Sequence, residues 1–202
     1  MKKIIPITIC LALCACAETR VVDLNDANDV NAMQNVMELE YRDWTNTAEK
    51  MTKSMIASGA FKSEKKPIIA IADIKNDTAQ RFDTDVLTKK IRTTLLNSGT
   101  AQISTNYSGE DSTSNNVRAN LRGNDEYDQK TIAAKGTLVA PNMSLSGKML
   151  QRNLKLESGW FSSVDTRVEY YLQLTLTDLK TGLSVWEDEQ PIIKEGSHAP
   201  TW

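Results

Sequence analysis

Apolar and polar positions change rhythm several times along this chain, and each change marks an element. Residues 4–13 are a near-continuous apolar run behind Lys2 and Lys3. The run is too short to span a bilayer as a helix and has the length of the apolar centre of an export signal. Residues 17–40 are polar, with Asp23, Asn25, Asp26, Asn28, Asp29 and Asn31 crowded together, and read as a solvated tether. At Tyr41 the pattern turns helical: Trp44, Ala48, Met51 and Met55 fall at i, i+4, i+7 and i+11, and Gly59 supplies the stop. A Trp and Met stripe of this kind reads as core.

Pro67 then opens Ile68-Ile69-Ala70-Ile71-Ala72, a continuous apolar run that predicts a central strand buried on both faces. Phe82, Val86, Ile91 and Leu95 return to near-helical spacing, with Asp83 or Thr84 as cap and Gly99 as terminator. A short strand around Ile103 completes a βαβ unit. Residues 107–116 read as a polar loop and residues 117–135 as a weak helix interrupted by Gly123.

Period two takes over afterwards. Met143, Leu145, Gly147 and Met149 share one face of a strand over 143–151. Val168, Tyr170, Leu172, Leu174 and Leu176 alternate without a slip with more polar neighbours. Residues 178–182 form a turn, and a return strand starts at Leu183 and ends near Pro191 and Ile193. The expected architecture is one α/β sandwich over 41–195, a mixed sheet of four or five strands with packed helices, followed by a tail at 196–202.

The N-terminal run ends in Leu13-Cys14-Ala15-Cys16, which resembles a bacterial lipobox. That resemblance implies cleavage after Ala15, diacylglycerol on the Cys16 sulfur and an acyl chain on its amine. Several chains on one residue hold a protein on a membrane where a single chain does so only marginally. The resemblance to sorted lipoproteins implies the outer membrane, since Ala17 stands where an aspartate would favour retention on the inner one. Residues 1–15 are thus a signal peptide, and residues 16–40 a lipidated N-terminus with a tether.

Composition narrows the function further. The 187 residues left of 202 suit one domain. Loss of Lys2 and Lys3 takes the net charge from −2 to −4, which argues against a nucleic-acid partner. Cys10 and Cys14 leave with the signal, so no disulfide and no thiol chemistry are expected. His198 is the only histidine, which excludes a multi-histidine metal site, and its place in the expected tail argues against a histidine-based triad. The polar tether lacks the glycine and closing glutamate of a calcium loop. Asp73 and Asp77 read as solvated loop residues before they read as an acid pair.

One enzymatic alternative is visible. Ser63-Glu64-Lys65-Lys66, Ser114-Asn115-Asn116 and Lys180-Thr181-Gly182 reproduce in order the triplets of penicillin-recognising acyl enzymes. Their contexts oppose it. Pro67 follows Lys66 where those enzymes have a helix, and Lys180 falls in a turn instead of a strand. No catalysis and no small-molecule substrate are expected. For a binding surface, Trp160 and Phe161 stand in a Gly and Ser-containing loop between two strands, and Arg152 and Arg167 flank them as polar rim. Such aromatics serve as interface anchors when exposed and as core when folded back.

Taken in order, Tyr41-Arg42-Asp43-Trp44 with Met51 and Met55, the Ile68 to Asn76 segment, Leu145-Ser146-Gly147-Lys148, and the stretch from Val168 through Thr181-Gly182 to Trp186-Glu187 resemble the LpoB family. The likeness covers residues 41–195. It implies a fold like the N-terminal domain of TolB, no cofactor beyond the covalent lipid on Cys16, and a place on the periplasmic face of the outer membrane. It also implies a partner: a small accessory domain of a class A penicillin-binding protein, whose peptidoglycan synthesis the lipoprotein activates. A structural or assembly lipoprotein of the envelope, of secretion or flagellar type, is the alternative. The family's best-known members carry a long proline-rich tether. Here residues 17–40 contain no proline, and 24 flexible residues average only about 25 to 30 Å end to end, against roughly 80 Å extended.

Overall fold

Ile69 and Ile71 begin the buried face of the sheet, and the spacing of the next buried residue, Ile74, shows how the chain negotiates its centre. The computed structural model describes residues 37–63, 65–107, 112–155 and 166–196. Strand β1 (Ile68–Ile71) runs parallel to the first part of β4 (Met143–Lys155), with Ile71 beside Leu145. Strand β2 (Lys75–Asp77) runs parallel to the next part, with Lys75 beside Lys148. From Ile71 to Lys75 one strand advances by one residue more than its partner. The extra residue reverses the alternation, as a bulge does: Ile74 is buried and Lys75 is exposed.

Helix α1 (Tyr41–Ala57) opens with Glu40 N donating to Asp43 Oδ2 at 3.1 Å. Asp43 in the first turn also suits the positive end of the helix dipole. The stripe Trp44, Ala48, Met51 and Met55 is buried as the periodicity predicts. Thr45 and Thr52 are buried beside it, and their hydroxyls donate back to the Tyr41 and Ala48 carbonyls, each at 2.7 Å. The helix ends at Ser58, and Gly59 takes φ 88°. Helix α2 (Thr84–Ser98) has Asp83 as its cap, Oδ1 accepting from Asp85 N at 2.9 Å, and ends in left-handed Gly99. Leu87, Ile91 and Leu95 face inward, and β3 (Gln102–Ile103) returns parallel to β1.

The β half is a long antiparallel meander, β4 with β5 (Thr166–Asp178) and β5 with β6 (Ser184–Gly196). Asp178 Oδ1 accepts from the Lys180 and Thr181 amides at 2.7 and 3.0 Å, which folds the β5–β6 turn and holds the Asp178 carboxyl below its ordinary pKa. Among the described residues the sheet has six strands, in the order β3-β1-β4-β5-β6 with β2 also on β4. The four or five strands expected from periodicity omit β2. α1 and α2 cover one face and enclose a core centred on Tyr170, Leu172, Met149 and Met51.

Two boundaries differ from expectation. Met37 and Leu39, assigned to the tether, are buried in the core, so the packed chain begins at least at Met37 and not at Tyr41. Gln80 accounts for this: its side chain accepts from Leu39 N at 2.8 Å and donates to Leu39 O at 2.9 Å. Helix α3 (Ser112–Leu121) starts inside the expected loop and stops before Gly123, whose φ is 79°. It has no apolar stripe, so periodicity does not reveal it. Arg122 instead ties its end to the Ala133 and Ala134 carbonyls, both at 3.1 Å.

Candidate docking surface

Alternation along β5 separates two environments. Val168, Tyr170, Leu172, Leu174 and Leu176 point to the helices and are fully buried, while Tyr171, Gln173 and Thr175 on the other face are half-buried. Residues paired across neighbouring strands share a face, so the register lays out the second face in rows. Lys75, Lys148, Gln173 and Glu189 make one row across four strands. Asp77, Leu150, Tyr171 and Pro191 make the next. Arg152, Glu169 and Ile193 follow, and then Leu154, Arg167 and Glu195. Leu150, Tyr171 and Pro191 thus form an apolar row from β4 to β6, with Lys75 and Asp77 together at the β2 border and Glu187, Glu189 and Glu195 along β6.

Glu169 is the least expected member, a carboxylate only 7% exposed on the face away from the core. Tyr171 Oη donates to its Oε2 at 2.6 Å. The Arg152 and Arg167 guanidiniums lie 4.0 and 3.9 Å from its oxygens. Arg167 also donates through Nε to Glu195 Oε1 at 2.7 Å and so links the central strand to the edge. The hydrogen bond to Glu169, and secondarily burial, push the Tyr171 phenol above its ordinary pKa. The result is a charged network with an aromatic lid, the kind of fixed polar cluster that gives a surface specificity.

The structure brings Arg152 and Arg167 together around Glu169, although they lie 15 residues apart in the chain. Trp160 and Phe161 fall in 156–165, outside the described residues, as do Cys16 and His198. Glu169 and Tyr171 escape a linear reading, because their partners are defined by strand register and not by sequence spacing.

The chemistry-bearing triplets sit in unlike settings. Ser63 lies in a bend and donates to the Lys65 carbonyl, Ser114 is in α3 with its hydroxyl on Asn106 Oδ1 at 2.5 Å, and Lys180 and Thr181 are in the β5–β6 turn. Asp73 and Asp77 are both exposed. Between the outer faces of α1 and α2 runs a shallow groove lined by Glu49, Lys53, Ile56, Lys90 and Asn97 among others. Among the described residues no three His, Cys, Asp or Glu side chains are grouped to hold a metal, and no helix is long and apolar enough to cross a membrane.

A family model described as peptidoglycan-synthase activator LpoB matches residues 43–192. Among solved structures, the LpoB C-terminal domain from Escherichia coli is 15% identical at TM-score 0.45, covering 74% of this chain and 98% of that one. The corresponding domain from Salmonella enterica is 13% identical at TM-score 0.45, with the same coverage of 74% and 98%. The NMR structure of Escherichia coli LpoB is 12% identical at TM-score 0.41, covering 94% of this chain and 88% of that one. No curated protein sequence matches.

Proposed function

The chain belongs to the peptidoglycan-synthase activator LpoB family, and from that premise we propose that it is a lipoprotein, acylated on Cys16 and held at the periplasmic face of the outer membrane, which binds and activates a class A penicillin-binding protein. The observation that carries this reading is the family match over 43–192, which includes α2, all of α1 but its first two residues, and nearly the whole sheet. In this reading the domain acts as a ligand for the synthase and makes or breaks no bond itself.

The lipid supplies location. In this reading residues 16–36 join the lipid to the packed domain, which begins at least at Met37.

The test is reconstitution. Full-length lipidated protein mixed with detergent-solubilised class A penicillin-binding proteins should co-purify with one of them and raise its glycan polymerisation and peptide crosslinking. Absence of both binding and stimulation across the set would overturn the reading. Mass spectrometry of the N-terminal peptide checks the anchor separately, since an unmodified Cys16 removes the lipid from the proposal.

A further inference from the structure

We propose that the domain lies with its helix layer, α1 and α2, against the anionic headgroups of the membrane that carries its acyl chains. This rests on the lipoprotein reading above and goes beyond it by giving the domain a resting place and an orientation.

Charge is unevenly divided along the chain. Residues 41–66 and 81–99, which hold both helices and the connection after α1, carry ten lysines and arginines against five carboxylates, although the whole chain has a net charge of −2. Two of those carboxylates are already neutralised, Asp43 by Lys194 and Glu49 by Lys53 and Lys90 together. Asp83 and Asp85 sit at the N-terminal turn of α2, where the helix dipole takes up negative charge. Lys50, Lys62 and Lys89 are exposed, and among the described residues none of them has a carboxylate within ion-pair range. Helical periodicity turns Lys50 and Lys89 away from the buried stripes of α1 and α2, and Lys62 lies against Gly59 at the end of α1. Leu96, 50% exposed, stands two turns beyond Lys89. A basic helix face with an exposed aliphatic side chain is what a headgroup layer takes up.

The length of chain outside the fold selects this occupant. Residues 16–36 join the proposed acyl cysteine to the packed chain at Met37, and such a segment spans at most roughly 75 Å. Headgroups are therefore always within reach of the helix layer, and no other anion is held at such an effective concentration. The outward cations of both helices are lysines, compact point charges on long stems, which suit a diffuse array of phosphates; a single carboxylate partner is better matched by an arginine fork. A second copy is the competing occupant. Helix layer against helix layer sets lysine against lysine, which is repulsive, and a copy offering its β6 carboxylates instead makes a head-to-tail contact that does not close. Lying on its helices, the domain turns the uncovered sheet face, with Glu169 and Tyr171, away from the membrane.

Lysine acetylation, read by mass spectrometry on the full-length lipidated protein anchored in vesicles, tests the assignment. On phosphatidylethanolamine vesicles with about a quarter phosphatidylglycerol, Lys50, Lys62 and Lys89 should react about tenfold more slowly than on neutral phosphatidylcholine vesicles. Lys148 and Lys180, exposed on β4 and in the β5–β6 turn, should keep one rate on both. Molar salt should remove the difference. Lys50→Glu combined with Lys89→Glu should return Lys62 to its rate on neutral vesicles, with a thermal melt to exclude unfolding; should that variant fold poorly, the salt dependence of the parent decides. Equal rates on the two vesicles, with Cys16 acylated, overturn the proposal and leave the activator reading intact. Slowing that rises with protein density on neutral vesicles assigns the face to a second copy, and slowing by purified sacculi but not by vesicles assigns it to the cell wall; either overturns the proposal. An unacylated Cys16 overturns the anchor and this proposal with it.

Discussion

The Tyr170 hydroxyl donates to the Met37 carbonyl oxygen at 3.0 Å, joining positions 133 residues apart across the buried centre of the domain. With the two Gln80 bonds to Leu39, it makes residues 37–39 a packed strap. Tyr170→Phe keeps the ring in the core and removes only the donor, so the Met37 carbonyl is left buried without it. The expected cost is about 1 to 2 kcal/mol. Urea melts should show the loss, and hydrogen exchange should show it concentrated at the amides of residues 37–40. An unchanged melt with unchanged exchange would mean that the contact contributes nothing.

Gly147 sits opposite Leu174 at the middle of the β4–β5 pair. A β-carbon there would come 2.5 Å from Leu174 Cδ2 and 2.6 Å from the Gln173 carbonyl oxygen. The leucine has rotamers to spare, but the carbonyl belongs to the ladder and does not. Gly147→Ala should therefore destabilise by about 1 to 3 kcal/mol, although alanine ordinarily improves a strand interior over glycine. A melting temperature equal to or above the parent's would show that the strands separate more easily than this geometry allows.

Glu49 on α1 accepts contacts at 2.8 Å from both Lys53 and Lys90, the latter on α2. Those two hydrogen bonds lower its pKa to about 2 from 4.5. A folded pKa below the unfolded one gives stability that is fully present above pH 4.5 and is lost as pH falls toward 2. The carboxylate is about a third exposed, so solvent screens the pair and the contribution is about 0.5 to 1 kcal/mol. Glu49→Gln should be less stable than the parent by that amount at neutral pH. The gap should close in acid and also in molar salt. A gap that persists at pH 2 would place the effect in packing instead of charge.

Periodicity was enough for the helices of the core and for the β5–β6 hairpin, because a stripe at 3.6 or an alternation at 2 has a local cause. Trp44, Met51 and Met55 are buried where their spacing puts them, and Asp83 and Gly99 bound α2 as their chemistry requires. The break between β1 and β2 is harder. The buried isoleucines at 69, 71 and 74 change parity, but only the register with β4 shows that this is one extra residue and not the end of the strand. The strap at Met37 depends on Gln80, 41 residues away from Leu39, and nothing near Met37 announces it. The same limit applies to the candidate surface. Arg152 and Arg167 stand out in the sequence as cations flanking Trp160 and Phe161, whereas Glu169 between them is a product of strand pairing.

Two tyrosines are held protonated beyond the ordinary phenol range for different reasons, and Glu169→Gln separates them. Tyr170 is raised by burial first and by the nearby Glu38 and Asp43 carboxylates second. Tyr171 is raised first by its hydrogen bond to Glu169. For a group whose folded pKa is raised, the stabilising contribution is present below the unfolded pKa near 10 and is lost as pH climbs through the folded one. Replacing the Glu169 carboxylate by an amide removes the charge that Tyr171 meets but not the burial of Tyr170. In an ultraviolet titration of the folded protein, one late-ionising phenol should move to lower pH while the other stays. The variant should also lose about 1 to 2 kcal/mol at neutral pH, since Arg152 and Arg167 keep their charges around a neutral group. If both phenols move, the substitution has loosened the core and the network does not act locally. If neither moves, the 2.6 Å contact between Tyr171 and Glu169 is not maintained in solution, and the polar centre of that sheet face is less ordered than the geometry indicates.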